Sequence, residues 1–135
     1  SQTLPELTLD NEISEKLLTR DPKVIQRYQK DPLRHTRISS GFFEGALQAI
    51  ETVFFRAKYY RGDILTLVSD SDPVVSTENI KMFFEHLGAK KELCLLENRR
   101  HEVFNDVGRE NAFENLKRFL ALQSETRQKR RPYLP

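Results

Sequence analysis

The sequence predicts an α/β fold carried by two parallel strands with helices packed around them, and three observations predict it. Two short, β-prone apolar runs, Ile64 to Val68 and Leu93 to Leu96, are too brief for helices and lack polar alternation, as strands covered on both faces do. Between them Ile80, Phe83, Phe84 and Leu87 recur at helical spacing. Each run opens into a polar loop, Ser69-Asp70-Ser71-Asp72-Pro73 after the first and a loop containing His101 after the second. Strand, helix, strand at this spacing is a right-handed crossover, so the two strands run parallel and both loops emerge at one carboxyl edge.

In chain order, residues 1 to 30 mix polar residues with scattered leucines, and the clearest local signal is Asp21 as a helix cap with Pro22 at the first helical position. That helix is expected to reach about Lys30, where Asp31-Pro32 ends it because a residue before proline is pushed out of the helical region. The stretch to Ser40 reads as a connector. From Gly41 onward Phe43, Ala46, Leu47, Ile50, Val53, Phe54 and Ala57 define a helix that buries one face, with Ser40 as its cap, until Gly62-Asp63 breaks the pattern before the first strand. Ser76 and Thr77 are cap candidates for the central helix, and Gly88 stands just past its end. A last amphipathic helix is expected from about Glu110 to Leu122, turning Ala112, Phe113, Leu116, Phe119 and Leu120 inward. The remainder, Arg-Gln-Lys-Arg-Arg-Pro-Tyr-Leu-Pro, reads as a solvated basic tail. The expected organisation is a segment over 1–40, a core portion over 41–123 and the tail over 124–135.

At 135 residues and 38% hydrophobic content the chain suits one compact unit. Its charges nearly cancel to +2, so nothing points to nucleic acid as a partner. A single cysteine, Cys94, lies inside an apolar run, where a small buried thiol is the ordinary occupant. No apolar stretch approaches the roughly 20 residues of a membrane span, and the N-terminus shows neither a basic n-region nor an apolar h-region. The expected location is cytoplasmic or peripheral to a membrane, where the basic tail could touch anionic lipid. No glycine-rich loop follows either strand, which argues against a nucleotide-binding domain.

The chemistry lies at the shared carboxyl edge. An aspartate that accepts a hydrogen bond from a histidine ring fixes its tautomer and stabilises the imidazolium formed when the other ring nitrogen takes a proton from a nucleophile. His101 is the candidate base. Asp63 precedes its strand and falls at the opposite edge, whereas Asp70 and Asp72 both follow the strand and spacing does not separate them. Taken singly, an aspartate after a strand is more often a turn residue and a loop histidine is usually solvated; their joint placement is what carries the reading.

Asp31-Pro32-Leu33, the strand leading to Asp72 with Val74-Val75, Lys90-Lys91-Glu92-Leu93, and His101-Glu102-Val103 with Asn105-Asp106 together resemble the monoacylglycerol lipase and lysophospholipase branch of the α/β-hydrolases. The resemblance covers the chain to about Leu122. It implies the C-terminal part of an α/β-hydrolase fold: the last two parallel strands with flanking helices plus part of the cap, incomplete by itself, with residues 1–40 as the cap-like segment. It makes Asp72 the catalytic acid and His101 the catalytic base. This sequence has Ser69 where the family usually has glycine, and Asp63 where a proline often precedes the strand.

Such enzymes carry their nucleophilic serine on a G-x-S-x-G turn, and no such pattern occurs here. Ser39-Ser40-Gly41 lacks the first glycine and, on this reading, a preceding strand, so helix capping is its expected role. The resemblance puts the nucleophile and oxyanion hole upstream of Ser1. Independently, two parallel strands offer too little surface for three amphipathic helices and leave both edges open. The expectation is therefore a piece of a larger serine hydrolase, paired with an N-terminal half or a partner chain that carries the nucleophile, and inactive alone. The expected reaction is hydrolysis of a single-acyl-chain lipid ester, a lysophospholipid or monoacylglycerol, without metal or organic cofactor. Leu4, Leu7, Leu9, Leu17 and Leu18 would add apolar surface over the acyl chain, although ordinary packing explains them as well. The alternative is an inactive hydrolase-like module that binds a partner through its sheet edge.

Overall fold

The computed structural model describes residues 7–130, with side-chain surroundings through Thr126. Its centre is the expected parallel pair, β3 (Ile64–Ser69) and β4 (Lys91–Leu96), following an earlier antiparallel pair of β1 (Thr8–Asp10) and β2 (Arg37–Ser39). The register of the parallel pair runs from Ile64 opposite Lys91 to Ser69 opposite Leu96, so both strands end at the same level. Helix α4 (Thr77–His86) makes the crossover between them. Because side chains alternate across a strand, the two faces carry different residues. Ile64 and Leu93 pack with Ala57, Phe84 and Leu87 on the α4 side. Leu67, Cys94 and Leu96 pack with Val103, Phe104 and Ala112 on the other, against α5 (Glu110–Arg130).

Local chemistry sets the helix ends. Asp21 caps α2 (Pro22–Lys30) by accepting the Lys23 N–H at 2.9 Å, with proline at the first helical position as expected. Ser76 caps α4 by accepting the Asn79 N–H at 3.2 Å. For α3 (Ser40–Arg56) the cap is Ser39, which accepts the Phe42 N–H at 3.1 Å, and Ser40 is already helical, so the helix starts one residue earlier than the expected boundary. Gly88 ends the α4 segment for a reason other than a left-handed turn. Its N–H donates to the Ala57 carbonyl at 3.1 Å, and a Cβ there would stand 2.0 Å from the Lys58 carbonyl oxygen. The glycine permits a close approach of two backbones.

Three expectations are corrected. The stretch before Ser40 is not a plain connector, because β2 pairs antiparallel with β1, placing Thr8 opposite Ser39 and Asp10 opposite Arg37. Each strand has three residues and one apolar side chain, too little alternation to read, and a short helix α1 (Glu15–Leu18) lies in the same segment. Ser39-Ser40 therefore does stand at the end of a strand, although one in the antiparallel pair rather than in the parallel sheet. Second, α5 continues past residue 123 to Arg130, so the basic segment is helical that far; residues 131–135 lie outside the described residues. Third, α3 follows the predicted period but holds no buried residue, and Phe43, Leu47, Ile50 and Val53 are about half exposed. The face is built for burial, yet the described residues supply no surface to cover it.

Candidate active site

The loops after β3 and β4 meet at the carboxyl edge. Asp72 Oδ2 lies 2.9 Å from His101 Nδ1. The aspartate side chain is 3% exposed and the histidine side chain 35%, so the acid is enclosed while the ring reaches solvent. The other carboxylate oxygen, Oδ1, accepts the backbone N–H groups of Val74 at 2.8 Å and Val75 at 3.1 Å. Burial alone would raise the Asp72 pKa, but the His101 hydrogen bond and the two backbone donors outweigh it and hold the group below its ordinary value. An ionised acid facing Nδ1 favours the tautomer with its proton there, leaving Nε2 able to accept one.

Asp70 does something else. It accepts the Asn98 N–H at 2.8 Å, tying the first loop to the second where Asn98 holds a positive φ of 50°. Asp63 stands immediately before β3, at the edge remote from His101. Ser69 is fully buried; its hydroxyl donates to the Arg99 carbonyl at 2.7 Å and accepts the Ser71 N–H at 3.1 Å, so the two loops are joined beneath the pair as well.

The N-terminal segment reaches the same place. Leu17 and Leu18 carbonyls accept the backbone N–H groups of His101 at 3.4 Å and Glu102 at 3.0 Å. Buried Thr19 donates its hydroxyl to the Asn105 carbonyl at 2.8 Å. The Tyr28 hydroxyl donates to Glu102 Oε2, which also receives Asn105 Nδ2 at 2.8 Å. Burial, followed by the neighbouring Glu102 carboxylate, pushes the Tyr28 pKa up to about 12. The Thr19 and Tyr28 contacts span 86 and 74 positions of sequence, and no spacing rule would have found them. Of the leucines expected over an acyl chain, Leu7 and Leu9 are exposed, Leu17 and Leu18 are half-buried beside His101, and Leu4 lies outside the described residues. Among the described residues no cluster of three or more histidine, cysteine or acidic side chains is arranged to hold a metal ion, and no helix is long and apolar enough to cross a membrane.

Comparison with known proteins agrees with this architecture. Residues 1–108 match the family model described as serine aminopeptidase S33, a hydrolase family. An uncharacterized abhydrolase domain-containing protein of Dictyostelium discoideum is 28% identical over 109 residues, covering 79% of this chain and 12% of that protein. A monoacylglycerol lipase crystal structure from Paleococcus ferrophilus superposes with a TM-score of 0.75 at 31% identity, covering 84% of this chain and 44% of the lipase. The chain thus spans less than half the length of either relative, and the portion it spans carries a parallel strand pair with flanking helices. It belongs to the serine aminopeptidase S33 family and forms a C-terminal part of an α/β-hydrolase fold.

Proposed function

We propose that this chain is the acid–base part of a serine hydrolase that cleaves carboxylic esters of single-chain acyl lipids. One observation carries the reading: Asp72 and His101, 29 residues apart, are hydrogen-bonded at 2.9 Å on the carboxyl edge of a parallel strand pair. In the proposed reaction His101 Nε2 takes the proton of a serine hydroxyl as that oxygen attacks the ester carbonyl, then returns it to the departing alkoxide. Asp72 stabilises the imidazolium between the two steps. Water repeats the sequence on the acyl-enzyme and releases the fatty acid. On this reading the serine and the oxyanion donors are supplied by another part of the hydrolase fold. Support for a lipid ester comes from the structural neighbour, a monoacylglycerol lipase, while the matched family is described as an aminopeptidase. The choice between them is therefore made by substrate.

The test joins this chain to the nucleophile-bearing part of its hydrolase and compares monoacylglycerol, lysophospholipid and aminoacyl amide substrates. Turnover of the two lipid esters is expected, and His101→Ala should lower kcat by roughly 10³-fold or more with the circular dichroism spectrum unchanged. Retained ester turnover in His101→Ala would remove the mechanism, and turnover of the amide alone would replace the substrate. The 135-residue chain by itself is expected to hydrolyse none of them, since an acid and base without nucleophile or oxyanion donors have no acyl transfer to assist. Inactivity of the joined protein as well would favour a module that binds a partner through its sheet edge.

A further inference from the structure

Asp106 is fully buried, and its carboxylate sits between two segments that sequence places far apart. Oδ1 accepts the backbone N–H of Arg20 at 2.7 Å; Oδ2 accepts the backbone N–H of Arg100 at 2.9 Å and Nη2 of Arg20 at 2.8 Å. The Arg20 guanidinium also donates to the Asn98 carbonyl at 2.6 Å, at the start of the same loop. Arg100 immediately precedes His101, whose own N–H is held by the Leu17 carbonyl. Residues 17–20 thus lie alongside residues 98–102, and a buried charge fastens one end of the arrangement while Asp72 receives the histidine ring at the other. Burying a carboxylate is costly unless every lone pair is met, and replacing such an ion pair by apolar groups is often neutral for stability. Stability is therefore a weak reason for this group to be here, and geometry is a better one.

We propose that Asp106 is a positioning residue, whose carboxylate, anchored by Arg20, clamps the Arg100 N–H and so fixes the backbone from which His101 reaches Asp72. The role rests on the reading of Asp72 and His101 as acid and base. Asparagine at 106 keeps the shape but presents an NH2 group to one of the backbone donors now bound, so either the Arg20 or the Arg100 N–H loses its acceptor. The His101 backbone then shifts and the Nδ1 hydrogen bond weakens.

The tautomer of neutral His101, read from the 15N shifts of its ring nitrogens with this chain joined to the nucleophile-bearing part of its hydrolase, reports this directly. Asp72→Asn is the reference substitution and should shift the ring away from the Nδ1–H form. Asp106→Asn is expected to lower the Nδ1–H to Nε2–H ratio by roughly fivefold, the equivalent of one ordinary hydrogen bond, while strand amide signals keep their dispersion. A purely stabilising role would lower the denaturation midpoint and leave the tautomer ratio where it was; that result overturns the proposal. Should Asp106→Asn fail to fold, Arg20→Gln changes a partly exposed side chain and removes the guanidinium that anchors the carboxylate against the Arg100 N–H. It should move the ratio in the same direction, and an unchanged ratio there counts equally against the clamp. If Asp72→Asn itself moves nothing, the acid–base reading fails, separately from the role of Asp106.

Discussion

Ser69 ends β3, and its hydroxyl performs a task that a residue without one cannot. It bridges the Arg99 carbonyl and the Ser71 N–H in a fully buried site, linking the strand end that leads to Asp72 with the loop that carries His101. Ser69→Ala leaves both groups unmet and should cost about 1–3 kcal/mol, measured as a lower urea midpoint at unchanged slope. Asp106 contributes to the acid limb of stability. Burial would raise its pKa, but hydrogen bonds from the Arg20 side chain and from the Arg20, Arg100 and Val107 backbones bring it down to about 2 from an ordinary 3.8. A depressed carboxylate pKa contributes stability that is present above the unfolded value and lost as pH falls through the folded one. The chain should therefore lose about 2 kcal/mol between roughly pH 4 and pH 2. Asp106→Asn should be less stable at neutral pH yet lose less across that window, as read by urea titrations at fixed pH. The meeting of the loops that carry Asp72 and His101 was legible because strand ends are legible, whereas spacing left Asp70 beside Asp72 and only the resemblance chose between them. Asp106 appeared only as part of a resembling motif, since its partners Arg20 and Arg100 carry no pattern that links them to it.

At the level of elements, the helices with strong caps were readable almost to the residue. Asp21-Pro22 fixed the start of α2 and Ser76 that of α4, because a side-chain oxygen beside a helical run has a definite electrostatic task. The antiparallel β1–β2 pair escaped because its pairing, across the two helices between the strands, depends on tertiary closure more than on the propensity of three-residue strands. The extension of α5 to Arg130 escapes a reading by charge because a basic run marks a tail as readily as a helix, although lysine, arginine and glutamine are good helix formers. Gly88 shows how a correct position can carry a different cause. With the Lys58 carbonyl 2.0 Å from where a Cβ would stand, Gly88→Ala must push the chain after α4 off the 3-10 turn at Ala57–Tyr59. A loss of about 1–3 kcal/mol is expected, with the melting temperature lowered. Gly88 does not hold a positive φ, and a glycine at such a conformation without this contact would gain slightly from alanine, so a gain would rule out the close approach.

For the whole molecule, the most consequential feature is the apolar surface that remains uncovered. The period of α3 marks one apolar face that the described residues leave unburied, because a pattern specifies the need for a partner without specifying which residues provide it. Phe43, Leu47, Ile50 and Val53 are exposed by 48 to 58%, and α3 and α4 enclose an apolar groove of about 500 Å³ lined by Ile50, Val53, Phe54, Ile80 and Phe83. Among the described residues β3 has a hydrogen-bonded neighbour only in β4, so a strand edge lies open as well. Contiguous apolar surface of this kind drives association, and an open strand edge offers backbone donors and acceptors to the next chain. The 135-residue chain is therefore expected to bind the dye ANS and to associate as its concentration rises, by light scattering and sedimentation. Replacing Leu47 and Ile50 with lysine places charge on the exposed face of α3 without removing a contact of the buried clusters, and both signals should fall while helix content is kept. A dye-silent monomer at high concentration would mean that the α3 face closes on the chain's own surface in solution. The same double substitution would then unfold the helix instead of dispersing the protein.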